Sequence, residues 1–126
     1  MIRQTTPFLT LEAYIGNERL FNEAFDHLRS SRYERAVELF RKTLEQNPKH
    51  VQSYGNLALA LAGLGQKGQA LQCLDKALEL DPSYEPARRN RKVLKRLSEG
   101  EPLTNVRFGE TEYYRERLEA EKGRGA

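Results

Sequence analysis

Two prolines set the frame for this chain. Pro48, in "FRKTLEQNPKH", and Pro82, in "CLDKALELDPSYEP", lie 34 residues apart. Each lacks the amide hydrogen that a helix interior needs and pushes the residue before it, Asn47 or Asp81, out of helical backbone. Helices therefore end at about residues 46 and 80. A fixed period of roughly 20 to 50 residues is the mark of a repeat architecture. Shifted by 34, the chain lays Asn22 on Asn56, Ala24 on Ala58, Ala36 on Ala70, Lys42 on Lys76, Leu44 on Leu78 and Glu45 on Glu79.

Each unit reads as two helices, at 17–30 and 33–46, then at 50–63 and 67–80, with turns at "SSR" and "GLGQ". The stretch "LALALAGL", residues 57–64, also admits a strand, because Leu57, Leu59 and Leu61 alternate. The residues between them are alanines, strong helix formers without β-branching, and Tyr54, Leu57, Ala58 and Leu61 keep helical spacing. Helix is the better reading, and its apolar character nearly all round says that it packs on several sides.

The 126 residues support one small domain, and 38% hydrophobic against 31% charged residues allows a modest core. A large catalytic chamber does not fit in it. No apolar run reaches the roughly 18 residues of a membrane span, and "MIRQTTPFLTL" lacks the apolar core of a secretory signal. A cytoplasmic location is expected, with no membrane partner. Cys73 is the single cysteine, so no internal disulfide forms, and with only His27 and His50 beside it there is no zinc-type ligand set. No cofactor is expected.

The spacing resembles the tetratricopeptide repeat (TPR), whose signature runs W-x2-L-G-x2-Y, then A-x3-F, then P. The second unit supplies Tyr54, Leu57, Ala58, Leu61, Ala70, Leu74, Ala77 and Pro82; the first supplies Leu20, Ala24, Ala36, Phe40 and Pro48. The first unit departs from the pattern with Glu23, His27 and Thr43 where an apolar or small residue is usual. The implied fold is all-α, with antiparallel helix-turn-helix repeats stacked as a short right-handed TPR superhelix. Its parts would be an N-terminal flank at 1–16, repeats at 17–50 and 51–84, a capping helix at 85–98 and a tail at 99–126. Small residues have a physical role here: Ala24 against Ala36, and Ala58 against Ala70, let paired helices approach closely.

Six of the 21 basic residues crowd between Arg88 and Arg96. In the repeat register, Arg88, Arg91, Lys92 and Lys95 take the slots of Tyr54, Leu57, Ala58 and Leu61, which pack on a repeat's own second helix. No such helix follows, because Glu99-Gly100-Glu101-Pro102 breaks the pattern. Ala87, Leu94 and Leu97 keep an apolar face for the preceding helix, so the segment reads as a cap, apolar toward the stack and polar toward water. The competing reading is a basic patch for nucleic acid or acidic membrane. No aromatic platform interleaves with it, which disfavours single-stranded nucleic acid.

In TPR proteins the first helices line a concave groove that holds an extended peptide or a partner helix. The resemblance then implies a peptide-binding face of Phe21, Phe25 and Leu28, then Gly55, Leu59 and Ala62, then Arg89, Val93 and Arg96. Asn22, Asn56 and Asn90 recur at one slot, where the family often holds a ligand's backbone, and an amide offers both donor and acceptor for a peptide unit. The plainer reading makes these asparagines consensus residues without a ligand. Phe21 and Phe25 are either exposed anchors or are covered by Phe8, Leu9, Leu11, Tyr14 and Ile15. Some TPR domains clamp the acidic tail of heat-shock chaperones with lysines and asparagines; here Phe21 and Phe25 stand at two of those slots, so that clamp is absent. The groove is apolar at Phe21, Phe25 and Leu59 and cationic at Arg89 and Arg96, which suits an extended ligand with apolar side chains and an acidic end.

Catalysis has little behind it. Glu23, His27 and Ser31 share a helix face at four-residue spacing, without a third partner or phosphate loop, so the chain is not expected to be an enzyme. Cys73 falls in the slot of Leu39 and reads as a small buried hydrophobe. In the tail, Thr111 would cap a short helix at 112–122 with Tyr114 and Leu118 on one stripe. That tail would fold back so that Glu110, Glu112 and Glu116 meet the arginines, or mediate self-association. Fewer than three full repeats bury little surface, so the flanks or a second copy are expected to complete the fold. The function expected is a scaffold or adaptor binding a protein or peptide; the alternative is a self-associating unit whose flanks fill a neighbour's groove, with nucleic-acid binding through residues 88–96 last.

Overall fold

In the computed structural model, which describes residues 10–114, the chain is a row of helices. They are α1 Leu11–Arg29, α2 Tyr33–Gln46, α3 Val51–Gly63, α4 Lys67–Leu80, α5 Glu85–Lys95 and a single turn, α6 Asn105–Phe108. No strand occurs among the described residues. The helices pack as antiparallel neighbours, α1 on α2, α3 on α4, with α2 on α3 and α4 on α5 joining the pairs.

Sequence chemistry explains the ends. α2 and α4 stop at Asn47 and Asp81, the residues that Pro48 and Pro82 push out of helical backbone. Both run over the residues expected from the repeat. α1 begins at Leu11, ahead of the expected residue 17, because the Thr10 hydroxyl accepts the Ala13 amide at 3.1 Å and caps the helix. Residues 11–16 are thus the first turns of the stack's first helix, and Leu11, Tyr14 and Ile15 are exposed at 74%, 51% and 45%. They do not cover Phe21 and Phe25 as one reading had it; Phe8 and Leu9 lie outside the described residues. α5 ends at Lys95, short of the expected 98, where the Lys67 ammonium donates to the carbonyls of Lys95 and Leu97 at 3.2 and 2.6 Å. Such a cation answers the unpaired carbonyls of a helix end.

The core runs through the pairs. Ala24, Ala36, Ala58 and Ala70 are fully buried, as close helix pairing demands. α3 is buried nearly all round, from Gly55 to Ala62, and touches α1, α2, α4 and α5. The departures of the first repeat are structural. Thr43 is buried with its hydroxyl donating to the Leu39 carbonyl at 2.9 Å, and Asn17, also buried, donates to the Thr43 carbonyl at 3.0 Å and the Gln46 amide oxygen at 3.2 Å. His50 caps α3: its Nδ1 accepts the Ser53 amide at 3.2 Å while its ring packs 5.0 Å from Phe21.

Beyond α5 the chain turns at Gly100, whose φ of 80° needs glycine, and returns across the first helices. The Leu103 amide donates to the Ala62 carbonyl at 2.8 Å. The helix expected at 112–122 does not start where it should: residues 112–114 are not helical, and Thr111 donates its hydroxyl to the Phe108 carbonyl instead of capping a following turn. The rest of that expected helix lies outside the described residues.

Candidate functional site

The first helices α1, α3 and α5 present their matched positions on one face. Phe21, Gly55 and Arg89 form one row; Asn22, Asn56 and Asn90 the next; then Phe25, Leu59 and Val93; then Leu28, Ala62 and Arg96. Asn56 and Asn90 are fully buried, whereas Asn22 is exposed. The difference is the segment that crosses α3 and α5.

Two amides hold that segment by its backbone. Asn90 donates from Nδ2 to the Glu112 carbonyl at 2.7 Å, and its Oδ1 accepts the Glu112 amide at 2.8 Å. Asn56 does the same for Tyr114, with both bonds at 2.9 Å. Pairing donor and acceptor with one residue's N–H and C=O is what a strand neighbour would do, and it is indifferent to the side chain. The clamped residues alternate, so the segment is extended there, with a side-chain period of two. Glu110 pairs with Arg96, and the Glu112 carboxylate lies 2.9 Å from the Arg89 guanidinium. These ion pairs are about half exposed, so each is worth at most about 1 kcal/mol. Register comes from the amides and the ring of Tyr114.

Tyr114 is fully buried, 5.0 Å from the Tyr84 ring and directly over Gly55. A Cβ at Gly55 would fall 2.1 Å from the tyrosine ring, so only glycine makes this seat. Burial, with Tyr84 and Glu112 adding to it, pushes the phenol above its ordinary range and keeps it neutral. The Tyr114 hydroxyl has no hydrogen-bond partner of good geometry among the described residues, although the Asn90 amide, bonded to Glu112, is its neighbour. Tyr113 turns the other way, with its ring 5.2 Å from Phe25 and 5.6 Å from Phe108.

The structure therefore brings Gly55, Asn56, Arg89, Asn90 and Arg96 against residues 110–114, with Ala62 bonded to Leu103 earlier in the same returning segment, while Leu59 and Val93 are buried on the same face. Phe21 is core, packed on Phe40 and His50, and Phe25 lies under Tyr113. Leu28 is buried, and Asn22 is exposed. Of the acids expected to meet the arginines, Glu110 and Glu112 do so, while Glu116 lies outside the described residues. Sequence reasoning missed Tyr113 and Tyr114 as groove occupants; the period-two spacing of Glu110, Glu112 and Tyr114 was the available signal.

The other candidates resolve simply. Arg88, Lys92 and Lys95 are exposed, Arg88 donating to the Pro82 carbonyl at 2.7 Å, and Arg91 pairs with Asp75 at 2.9 Å, while Ala87, Leu94 and Leu97 are buried. His27 accepts from Arg32 Nε at 2.7 Å through its Nδ1. Cys73 is half-buried, and burial pushes its thiol up to about 11, the opposite of what a nucleophile needs. No group of three metal-ligating side chains occurs among the described residues, and no helix among them is long and apolar enough to cross a membrane.

Known proteins match the same stretch. Serine/threonine-protein phosphatase 5 of Homo sapiens is 34% identical over 67 residues, 53% of this chain and 13% of that protein. Hsp70-Hsp90 organizing protein 2 of Arabidopsis thaliana is 36% identical over 70 residues, 56% of this chain and 12% of that protein. The shared stretch thus spans a small part of each relative. No solved structure matches the chain. The tetratricopeptide repeat family model matches residues 21–85, over the two helix pairs described above, and the chain belongs to that family.

Proposed function

We propose that this chain is a protein-binding module, a scaffold or adaptor unit, that holds an extended segment of a partner along the face of α1, α3 and α5. One observation carries the reading: Asn56 and Asn90 each grip both backbone groups of alternate residues in an extended segment. A pair of such clamps recognises a peptide as a peptide, and flanking groups set preference. Arg89 and Arg96 favour acids at the α5 end, and Phe25 and Leu59 favour apolar side chains toward α1. The repeat fold is an interaction fold without chemistry of its own, and the phosphatase resemblance covers 13% of that enzyme, so no phosphatase activity is carried over.

The organizing protein's name ties it to Hsp70 and Hsp90. Here the cations sit on α5 while the α1 slots hold buried Phe21 and Phe25, so a chaperone tail is not the favoured ligand. A second reading has an observation behind it too. A segment that fills this chain's groove has the right chemistry to fill a neighbour's, which would make the protein self-associate.

The test is selection from a displayed peptide library on the full chain with Tyr114→Ala, which unseats the resident ring, against the same chain with Asn56→Ala and Asn90→Ala added. Peptides enriched on the first and lost on the second support the groove. Enrichment indifferent to the two amides overturns it.

A further inference from the structure

The two repeats build the same junction with different covalent wiring. In the first, the Phe21 ring sits 5.0 Å from His50, the residue that caps α3. Shifted by 34 residues, Phe21 becomes Gly55 and His50 becomes Tyr84, the residue that caps α5. Gly55 has no ring to offer, and the Tyr114 ring occupies that place at 5.0 Å from Tyr84. The second repeat thus receives from residue 114 the aromatic group that the first carries on its own helix. Two residues upstream of that ring sits Glu112 on Arg89, and two further sits Glu110 on Arg96.

Resting on the groove reading above, we infer that residues 110–114 are a built-in competitor for the groove, and that the outside segment they exclude carries the same pattern. That pattern is acid, spacer, acid, spacer, aromatic, with the backbone turning at the first acid and running extended from the second acid to the aromatic. The occupant argued for is a partner segment of this chemistry, because the resident segment shows which groups fit each position. Without a well-formed partner among the described residues, the Tyr114 hydroxyl makes the resident an imperfect fit: leaving it unpaired costs about 1 to 3 kcal/mol, which a hydrated tyrosine in the released segment does not bear. The resident segment is therefore displaceable.

The probe is a fluorescent peptide of residues 103–114, amidated at its C-terminus, titrated by anisotropy into full-length chains. Wild type should bind it at least about tenfold more weakly than Tyr114→Ala or the doubly charge-reversed Glu110→Lys, Glu112→Lys chain; the latter opens no cavity and guards against misfolding, with helicity checked for both. Tyr114→Phe should weaken probe binding about fivefold or more below wild type, as the hydroxyl penalty vanishes. A probe with both glutamates changed to glutamine should bind the opened chains about fivefold more weakly, and Gly55→Phe, which fills the seat itself, should release the resident segment yet bind no probe.

Equal binding by wild type and both opened chains overturns the competitor. Folded, opened chains that ignore the probe, or that take the glutamine probe equally well, overturn the acid-and-aromatic pattern. Gly55→Phe binding as tightly as the charge-reversed chain overturns the aromatic seat. Probe binding that survives Asn56→Ala with Asn90→Ala in an opened chain brings down the groove reading itself, a separate failure. A wild-type dimer that Tyr114→Ala dissociates means that the segment comes from a second copy, and the competitor in its own chain falls.

Discussion

The front and the back of the groove share one register and differ in what covers them. At the front, α1 buries Phe21 against Phe40 and His50 with its own side chains, and Asn22 stays exposed. At the back, α3 and α5 bring Gly55, Asn56 and Asn90, which are complete only when residues 112–114 lie on them. A helix that supplies its own ring closes its face; one that supplies a glycine and an amide leaves a mould of a peptide. The repeat explains both faces, and the difference at one position, Phe21 against Gly55, decides which is covered by the returning segment.

Removing the amides from the two ends should separate them most sharply. Asn56→Ala orphans the buried N–H and C=O of Tyr114, and we expect a loss of about 3 kcal/mol in urea unfolding. Asn22→Ala, on an exposed position, should stay within about 0.5 kcal/mol. Detachment of the segment limits the first cost, because freed backbone groups find water. Hydrogen exchange at the Tyr114 amide tells detachment from global weakening: the former raises exchange there while α2 and α4 keep their protection. Equal effects of the two substitutions would erase the contrast.

The capping residues distinguish the two junctions by pH. His50 is 9% exposed, and burial lowers its pKa from 6.5 to about 4. Its ring meets Phe21, Nδ1 faces Ser53, and Nε2 lies 3.9 Å from Glu18 on α1. Above pH 6.5 the imidazole is neutral folded or unfolded, so it contributes no pH dependence. Below that the unfolded chain takes up a proton that the folded chain refuses, and stability falls until pH reaches about 4. Between pH 7 and 5 the loss should be about 2 kcal/mol. The matching position of the second junction holds Tyr84 in place of a histidine. His50→Asn retains a capping side chain and should flatten the profile; a wild-type profile as flat as that of the variant would remove His50 as its source.

Much of the fold was legible because its signals are local. Pro48 and Pro82 state where helices end, and the alanine pairs state where helices meet. The start of α1 was missed because one hydroxyl, that of Thr10, outweighed the repeat register. That Asn56, Asn90, Arg89 and Arg96 share one face was readable, since a 34-residue register carries a face from helix to helix. Their occupant was readable only in part: Glu110 and Glu112 were expected on the arginines, whereas Tyr114 over Gly55 was not. Asn56 and Tyr114 are 58 residues apart, and helical periodicity reports which face of a helix is covered without naming the segment that covers it. Gly55, placed on that face by the register, carried a further hint: a glycine inside a helix, costing about 1 kcal/mol relative to alanine, implies a close approach.

The smallest contrast lies in the turns. Ser31 and Gly65 are matched positions that end α1 and α3, and both take left-handed backbone, at φ 62° and 80°. Their amides bond to Leu28 and Ala62 in the same way, and the next residues, Arg32 and Gln66, reach back to His27 and Leu61. Serine bears a steric cost there that glycine does not, offset in part by the greater freedom glycine loses on folding. Ser31→Gly should therefore stabilise the chain by about 0.5 to 1 kcal/mol, read from its thermal midpoint. Gly65→Ser should do the opposite and more, because a Cβ there would also fall 2.7 Å from the Gly100 carbonyl oxygen, where the chain turns toward the groove. That asymmetry ties the second turn to the returning segment: if Gly65→Ser costs no more than Ser31→Gly restores, the approach of Gly100 is loose and the segment is held by its amides and its ring alone.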